Sequence, residues 1–265
     1  MKPIRYTMIG SGTLVPDIER GTAGHHLVCG DIHVLVDLGF GTLRRMTGLG
    51  LPLGALDVVA ISHRHQDHFA DLLPLLFTLR HLPGDRRVEP LALIGYPDFG
   101  ADLDRLSKIF GDWVIEPGFP LDVWEAADTP VEIDRDDASV EIDAHPVVHS
   151  PEAVGYRFTL GVAGREVVVA YTGDTEESEE AIALARDADL LIAECSVADG
   201  LQAPGHMSPR AVGRVAAAAG VKRLAVAHFY PSVLALGWDE IERRIREAYD
   251  QGPIELGADG LEIDL

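Results

Sequence analysis

Ile61-Ser-His-Arg-His-Gln-Asp-His68 places three histidines and one aspartate in its last six positions, directly after the apolar run Val58-Val-Ala-Ile61. Imidazoles and carboxylates this crowded repel one another once charged and gain little from burial, whereas a shared cation makes the crowding favourable. Imidazole nitrogen and carboxylate oxygen suit zinc and its first-row neighbours. A polar loop that merely happens to be rich in histidine is the plainer alternative. Matching donors elsewhere in the chain decide against it.

The apolar run reads as a strand that delivers the cluster. Apolar residues at helical spacing over 69–82 put His68 at or near a helix start. Upstream, residues 5–9 read as a strand broken by Gly10-Ser-Gly-Thr13, a tight turn whose amides are of the kind that face anions. Gly30-Asp31 reads as a two-residue hairpin turn between strands at 25–29 and 32–36. His25, His26 and His33 then become strand residues, and only His25 or His26 is placed to face a site. Thr42 is expected to cap a short helix running to residue 49.

Downstream, strands are expected at 91–94, 121–124, 140–149, 156–160, 166–171, 190–193 and 224–227, with short ones at 254–256 and 261–263. Helices are expected near 98–110, 176–186, 209–219 and 239–249. The third has Ser208 as cap and Pro209 as its first residue. Nothing reads as a linker or low-complexity tract. Residues 1–265 are therefore expected to form one α/β domain, a four-layer αβ/βα sandwich of two mixed sheets with helices on the outer faces.

The remaining donors share the cluster's structural address. Asp174 follows the strand at 166–171, His228 follows 224–227, and His149 closes the strand that begins near 140. Side chains at the carboxyl ends of neighbouring strands converge on one rim of a sheet. Taken singly, Asp174 in Thr172-Gly-Asp-Thr175 is an ordinary turn residue, and a lone buried histidine is usually a satisfied core residue. The coincidence of all of them is the signal. Seven donors exceed one tetrahedral ion and suit two, about 3.5–4 Å apart and bridged by a carboxylate. On this reading His63, His65 and His149 hold one ion, Asp67, His68 and His228 the other, and Asp174 bridges. Such a pair lowers the pKa of a bridging water and polarises the bond under attack, so hydrolysis is the expected reaction.

The pattern His63-x-His65-x-Asp67-His68, followed by His149, Asp174 and His228, resembles the metallo-β-lactamase superfamily over nearly the whole chain, from Gly10 to Gly260. The resemblance implies the four-layer sandwich and two divalent metal ions, zinc first, with manganese or iron as alternatives. Gly10-Ser-Gly-Thr13, the 149–157 stretch, Tyr171-Thr-Gly-Asp-Thr175, Glu194-Cys195 and Gly205-His-Met-Ser208 are similar to the ribonuclease Z and phosphodiesterase branch. That branch implies catalytic roles for Asp67, at the attacking water, and for His206, at the scissile phosphate, with Glu194 supporting His206. It also implies a homodimer as one arrangement. Physically, His206 as imidazolium suits charge stabilisation on phosphoryl oxygens or protonation of a leaving group.

Charge and length narrow the substrate. Lys plus Arg number 22 against 43 Asp plus Glu, a net charge of −21. A field of that sign repels polyanions, so duplex or large nucleic acid is disfavoured. Only 14 residues separate Arg157 from Thr172, room for a hairpin and not for the long arm that tRNA-processing relatives insert there. Phe229-Tyr-Pro231 also departs from the usual continuation after the last histidine. The expected activity is therefore hydrolysis of a small or single-stranded phosphodiester. Lactone, thioester or sulfate-ester hydrolysis is the alternative, and tRNA 3′-processing is disfavoured. Two cysteines, Cys29 and Cys195, imply no disulfide framework. Cys195 lies near the expected site but reads more simply as a small buried thiol. No apolar run is long enough to span a membrane and no signal-like core opens the chain, so a cytoplasmic location is expected.

Overall fold

The protein is described by a computed structural model covering residues 2–82, 87–201 and 203–265. An antiparallel meander of β1 (Ile4–Gly10), β2 (Gly24–Cys29) and β3 (Ile32–Leu38) comes first. It is followed by α1 (Thr42–Gly48), β4 (Val58–Ala60), α2 (Gln66–Phe69), α3 (Leu72–His81), β5 (Leu91–Gly95), α4 (Phe99–Phe110) and β6 (Leu121–Glu125). A second antiparallel run contains β7 (Val131–Arg135), β8 (Ala138–Pro146), β9 (Val154–Val162) and β10 (Arg165–Tyr171). Then come α5 (Glu179–Ala185), β11 (Leu190–Glu194), α6 (Pro209–Ala219), β12 (Leu224–Ala227), α7 (Pro231–Leu234), α8 (Trp238–Arg246), β13 (Ile254–Leu256) and β14 (Glu262–Asp264).

These strands build two seven-stranded mixed sheets, ordered β14-β1-β2-β3-β4-β5-β6 and β13-β12-β11-β10-β9-β8-β7. In each sheet an antiparallel part hands over to a parallel part, at β3–β4 in the first and at β10–β11 in the second. The inner parallel strands β4, β5, β11 and β12 are buried throughout and, Glu194 at the end of β11 apart, carry no polar side chain, as strands covered on both faces must. Alternation along them assigns the layers. Leu190 and Ile192 of β11 and Ala225 and Ala227 of β12 face the core between the sheets. Leu191, Ala193, Leu224 and Val226 face α5, α6 and α8. On the first sheet, α1, α3 and α4 bury Met46, Leu75, Leu76, Phe99 and Leu103. The result is the αβ/βα sandwich.

Three local expectations are corrected. Helix α1 has Gly41 as its N-cap, in the left-handed region at φ 88, and Thr42 is its first residue. The Thr42 hydroxyl donates to the Ala23 carbonyl instead of capping (3.4 Å). The helix expected over 69–82 is broken at Ala70-Asp71, because the Asp71 amide donates to Leu38 (2.9 Å) and its carboxylate accepts from the Leu43 amide (2.9 Å). Strand β8 ends at Pro146, which has no N–H to continue a ladder, so His149 lies three residues beyond the strand, not at its end. The β9–β10 hairpin closes over Ala163-Gly164, both at positive φ, leaving no inserted arm.

Candidate metal centre

All the donors lie at one rim. The chain leaves β4 through an extended Ser62–His65 segment, with His65 as N-cap of α2 (φ −64, ψ 144), and Asp67 and His68 fall in that helix's first turn. Asp174 follows β10, Glu194 ends β11 and His228 follows β12, while His149 and His206 come from loops. His228 is held at φ 59, a left-handed conformation seldom adopted without glycine. The Ser196 hydroxyl holds it there by contacting both its Nδ1 (2.8 Å) and its carbonyl (3.1 Å).

Two sets of atoms result. His63 Nε2 and His149 Nε2 lie 2.9 and 3.1 Å from His65 Nδ1, and each is 3.8 Å from Asp174 Oδ2. His68 Nε2 and His228 Nε2 are 3.2 Å apart, at 3.3 and 3.5 Å from Asp174 Oδ1. Asp67 Oδ2 completes that set, 3.4 Å from His228 Nε2 and 4.0 Å from His68 Nε2. One carboxylate thus divides its oxygens between two donor groups.

The outer nitrogens fix what points inward. His68 Nδ1 donates to Asp37 Oδ2 (2.7 Å) and His149 Nδ1 to the Gly205 carbonyl (2.9 Å). The Ser62 hydroxyl donates to Asp37 Oδ2 (2.8 Å) and so accepts from His63 Nδ1 (3.0 Å). Ser196 relays in the same way between His228 Nδ1 and the His228 carbonyl. The four Nε2 atoms therefore present lone pairs to one another and to buried carboxylate oxygens. Asp174 Oδ1 is buried with no hydrogen-bond partner. Lone pairs and an orphaned carboxylate oxygen at these distances fit divalent cations, and the outer partners on His63, His68, His149 and His228 are what a metal site requires.

The electrostatics agree. Burial alone would raise the carboxyl of Asp174, but His228 and His68 outweigh it and hold the group well below its usual range. Asp67 follows the same balance and falls to about 2. Burial pushes His63 well below the ordinary imidazole value, with His68 adding to the effect. At His68 burial is overruled by Asp174 and Asp37, which raise it well above that value. The site draws positive charge to its centre, where a divalent cation would supply it.

A second pair stands beside these sets. Glu194 accepts from the Thr175 amide (2.8 Å) and the Met207 amide (3.3 Å), and its Oε1 accepts from His206 Nδ1 (2.9 Å). Burial lowers the basicity of His206, but Glu194 wins and raises it. Its ring lies 4.9 Å from that of His149, and its donor atom groups with Asp174 and His228.

Sequence reasoning missed Asp37, Ser62, Tyr171 and Ser196. Asp37 is fully buried, at φ 53, and accepts from the Ser62 amide, the Ser62 and Tyr171 hydroxyls (2.8 and 2.6 Å) and His68. It falls at the end of β3, the same strand-end address that marked the other donors, and that was the available signal. Tyr230, part of the unusual continuation after His228, places its ring 5.9 Å from that of His228. His25 is buried beneath the centre, its Nδ1 against Tyr6 Oη (2.8 Å), and His26 turns away to His33 (3.2 Å). In the Gly10-Ser-Gly-Thr13 turn the Ser11 amide donates to the chain's own Asp259 carboxylate and the Gly12 amide to the Gly21 carbonyl, so neither is free for a bound anion. Cys195 is a buried thiol.

Facing mixed sheets with a histidine–aspartate cluster on their shared rim define a metal-dependent hydrolase. The chain belongs to the beta-lactamase superfamily, whose domain model matches residues 33–229. Ribonuclease Z from Halorubrum lacusprofundi is 30% identical over 97% of this chain and 96% of its own. The probable metallo-hydrolase YhfI of Bacillus subtilis is 29% identical over 85% of this chain and 86% of its own. Among solved structures, YhfI superposes with a TM-score of 0.78 at 23% identity, each chain covered completely. The short form of human tRNase Z gives 0.72 at 22%, with 98% of each chain covered.

Proposed function

We propose that this protein is a dinuclear metal-dependent phosphodiesterase of ribonuclease Z-like type, acting on a small or single-stranded phosphodiester. His63, His65 and His149 would hold one divalent cation and Asp67, His68 and His228 the other, with Asp174 placed between the two sets. Zinc suits the imidazole-rich set best, with manganese or iron as alternatives. The observation that carries this reading is the division of the Asp174 oxygens between the two donor sets. Paired cations there would supply an activated water and polarise a phosphoryl oxygen.

The chain's own groups do the rest. Asp67, kept ionised, orients the attacking water through its carboxylate. Glu194, fixed by two backbone amides, holds His206 by Nδ1 so that Nε2–H is free for the phosphoryl group or the departing oxygen. The short β9–β10 turn and the charge of −21 favour a small substrate over folded RNA. His206→Ala is expected to lower turnover of bis(p-nitrophenyl) phosphate by roughly 10²–10⁴-fold while bound zinc is retained. Undiminished turnover would remove His206 from the mechanism. Turnover of a lactone or thioester with none of the phosphodiester would support the carboxyl-type alternative.

A further inference from the structure

A groove of about 650 Å³ runs between the 13–22 loop and α1, with Val15, Ile18, Arg20, Phe40, Arg44 and Leu49 in its walls. None of these residues belongs to the centre described above, yet the groove adjoins it. Gly39, beside Phe40, lies so close to the Asp67 carbonyl that no Cβ fits between them, and the Thr22 hydroxyl donates to the Phe40 carbonyl (3.1 Å).

Charge and apolar exposure together describe what fits. In a chain of net charge −21, this wall brings three arginines together against Asp17 and Asp259. Asp259 is already spent. It accepts from the Ser11 amide (2.9 Å), the Ser11 hydroxyl (2.7 Å) and the Gly21 amide (2.7 Å), and it pairs with Arg45 (2.5 Å). The guanidinium of Arg20 lies 4.7 Å from the Trp238 ring and uses one nitrogen on Ser11 and Gly257, which fixes it in place. Arg44 is exposed and has no ion-pair or hydrogen-bond partner among the described residues. Beside it, Phe40 is 41% and Ile18 90% exposed. Guanidinium groups next to an uncovered aromatic face match an anion carried on a flat apolar body, and the volume is that of a nucleotide-sized site.

We propose that this groove binds the part of the substrate beyond the scissile phosphate: a nucleoside bearing a second phosphate, its base against Phe40 and its phosphate on Arg44. The proposal rests on the phosphodiester reading above and supplies the substrate class. Arg44 and Phe40 set specificity and take no part in bond cleavage.

Calorimetric titration of the metal-loaded protein with adenosine 3′,5′-bisphosphate tests it, together with turnover of bis(p-nitrophenyl) phosphate. Arg44→Glu is expected to raise the Kd of the bisphosphate by about tenfold or more and to change turnover of the simple diester by less than about twofold. Phe40→Ala weakens the same probe, and Arg165→Glu, at the distant β9–β10 turn, does not. No binding to the parent protein, an unchanged Kd in Arg44→Glu, or equal weakening in Arg165→Glu overturns the proposal. A changed sedimentation mass in Arg44→Glu with probe binding intact also overturns it, by making the groove an interface between copies. Binding that depends on Arg44 in a protein inactive on every phosphodiester would sink the functional reading and leave the groove assignment standing.

Discussion

At the base of the centre a single carboxylate, Asp37, orders two histidines to which no spacing rule connects it. It accepts from His68 directly and from His63 through Ser62, with Tyr171 as a further donor. Burial would raise its carboxyl, yet His68 and the hydrogen bonds hold it below the usual range. The donors themselves were legible because histidine is uncommon and most of these groups follow directly after apolar strands. Asp37 was not, because at the head of the glycine-punctuated stretch Asp37-Leu-Gly-Phe-Gly41 it reads as an ordinary turn residue. His25, directly beneath the centre, makes a residue-scale prediction. Burial pushes its pKa down to about 3, below the ~6.5 of an unfolded histidine. As pH falls below ~6.5 the unfolded chain takes up a proton that the folded chain refuses, so stability is lost over this window. From about pH 6.5 to about pH 4 the loss from this residue is on the order of 3 kcal/mol. Urea unfolding at both pH values, with chelator present throughout so that metal release adds nothing, should show this slope and a flatter one in His25→Gln. The same slope in the variant would contradict it.

Elements were legible where their ends carry their own chemistry. Ser208 accepts from the Ala211 amide, Pro209 opens α6 and Gly220 ends it at φ 69. The errors fell where a distant carbonyl or a missing N–H decides the boundary, as at Asp71 and Pro146. Helix α6 also shows two effects of opposite sign at one residue. Replacing a glycine by alanine inside a helix normally adds about 1 kcal/mol of stability. At Gly213, however, a Cβ would meet the Ile245 carbonyl of α8 at 2.3 Å, and backbone cannot yield as a flexible side chain does. Overpacking of this kind costs roughly 1–3 kcal/mol, so Gly213→Ala should be net destabilising in urea unfolding. A gain in stability would mean that α6 and α8 separate easily.

For the whole molecule, the two sheets repeat one plan, an antiparallel part followed by a parallel part, and the donors gather at the rim that both sheets supply. The class of fold was legible because apolar runs alternate with amphipathic helices; the strand order was not, since β14 joins β1 across the length of the chain. The net charge and the short β9–β10 turn were equally legible and carry the case for a small substrate. The proposed function depends on Asp174 serving two cations at once. Metal analysis of the purified protein by inductively coupled plasma mass spectrometry tests that directly. Two divalent ions per chain are expected, falling to one or fewer in Asp174→Ala. A parent protein that holds a single ion, or a variant that keeps both, would contradict it.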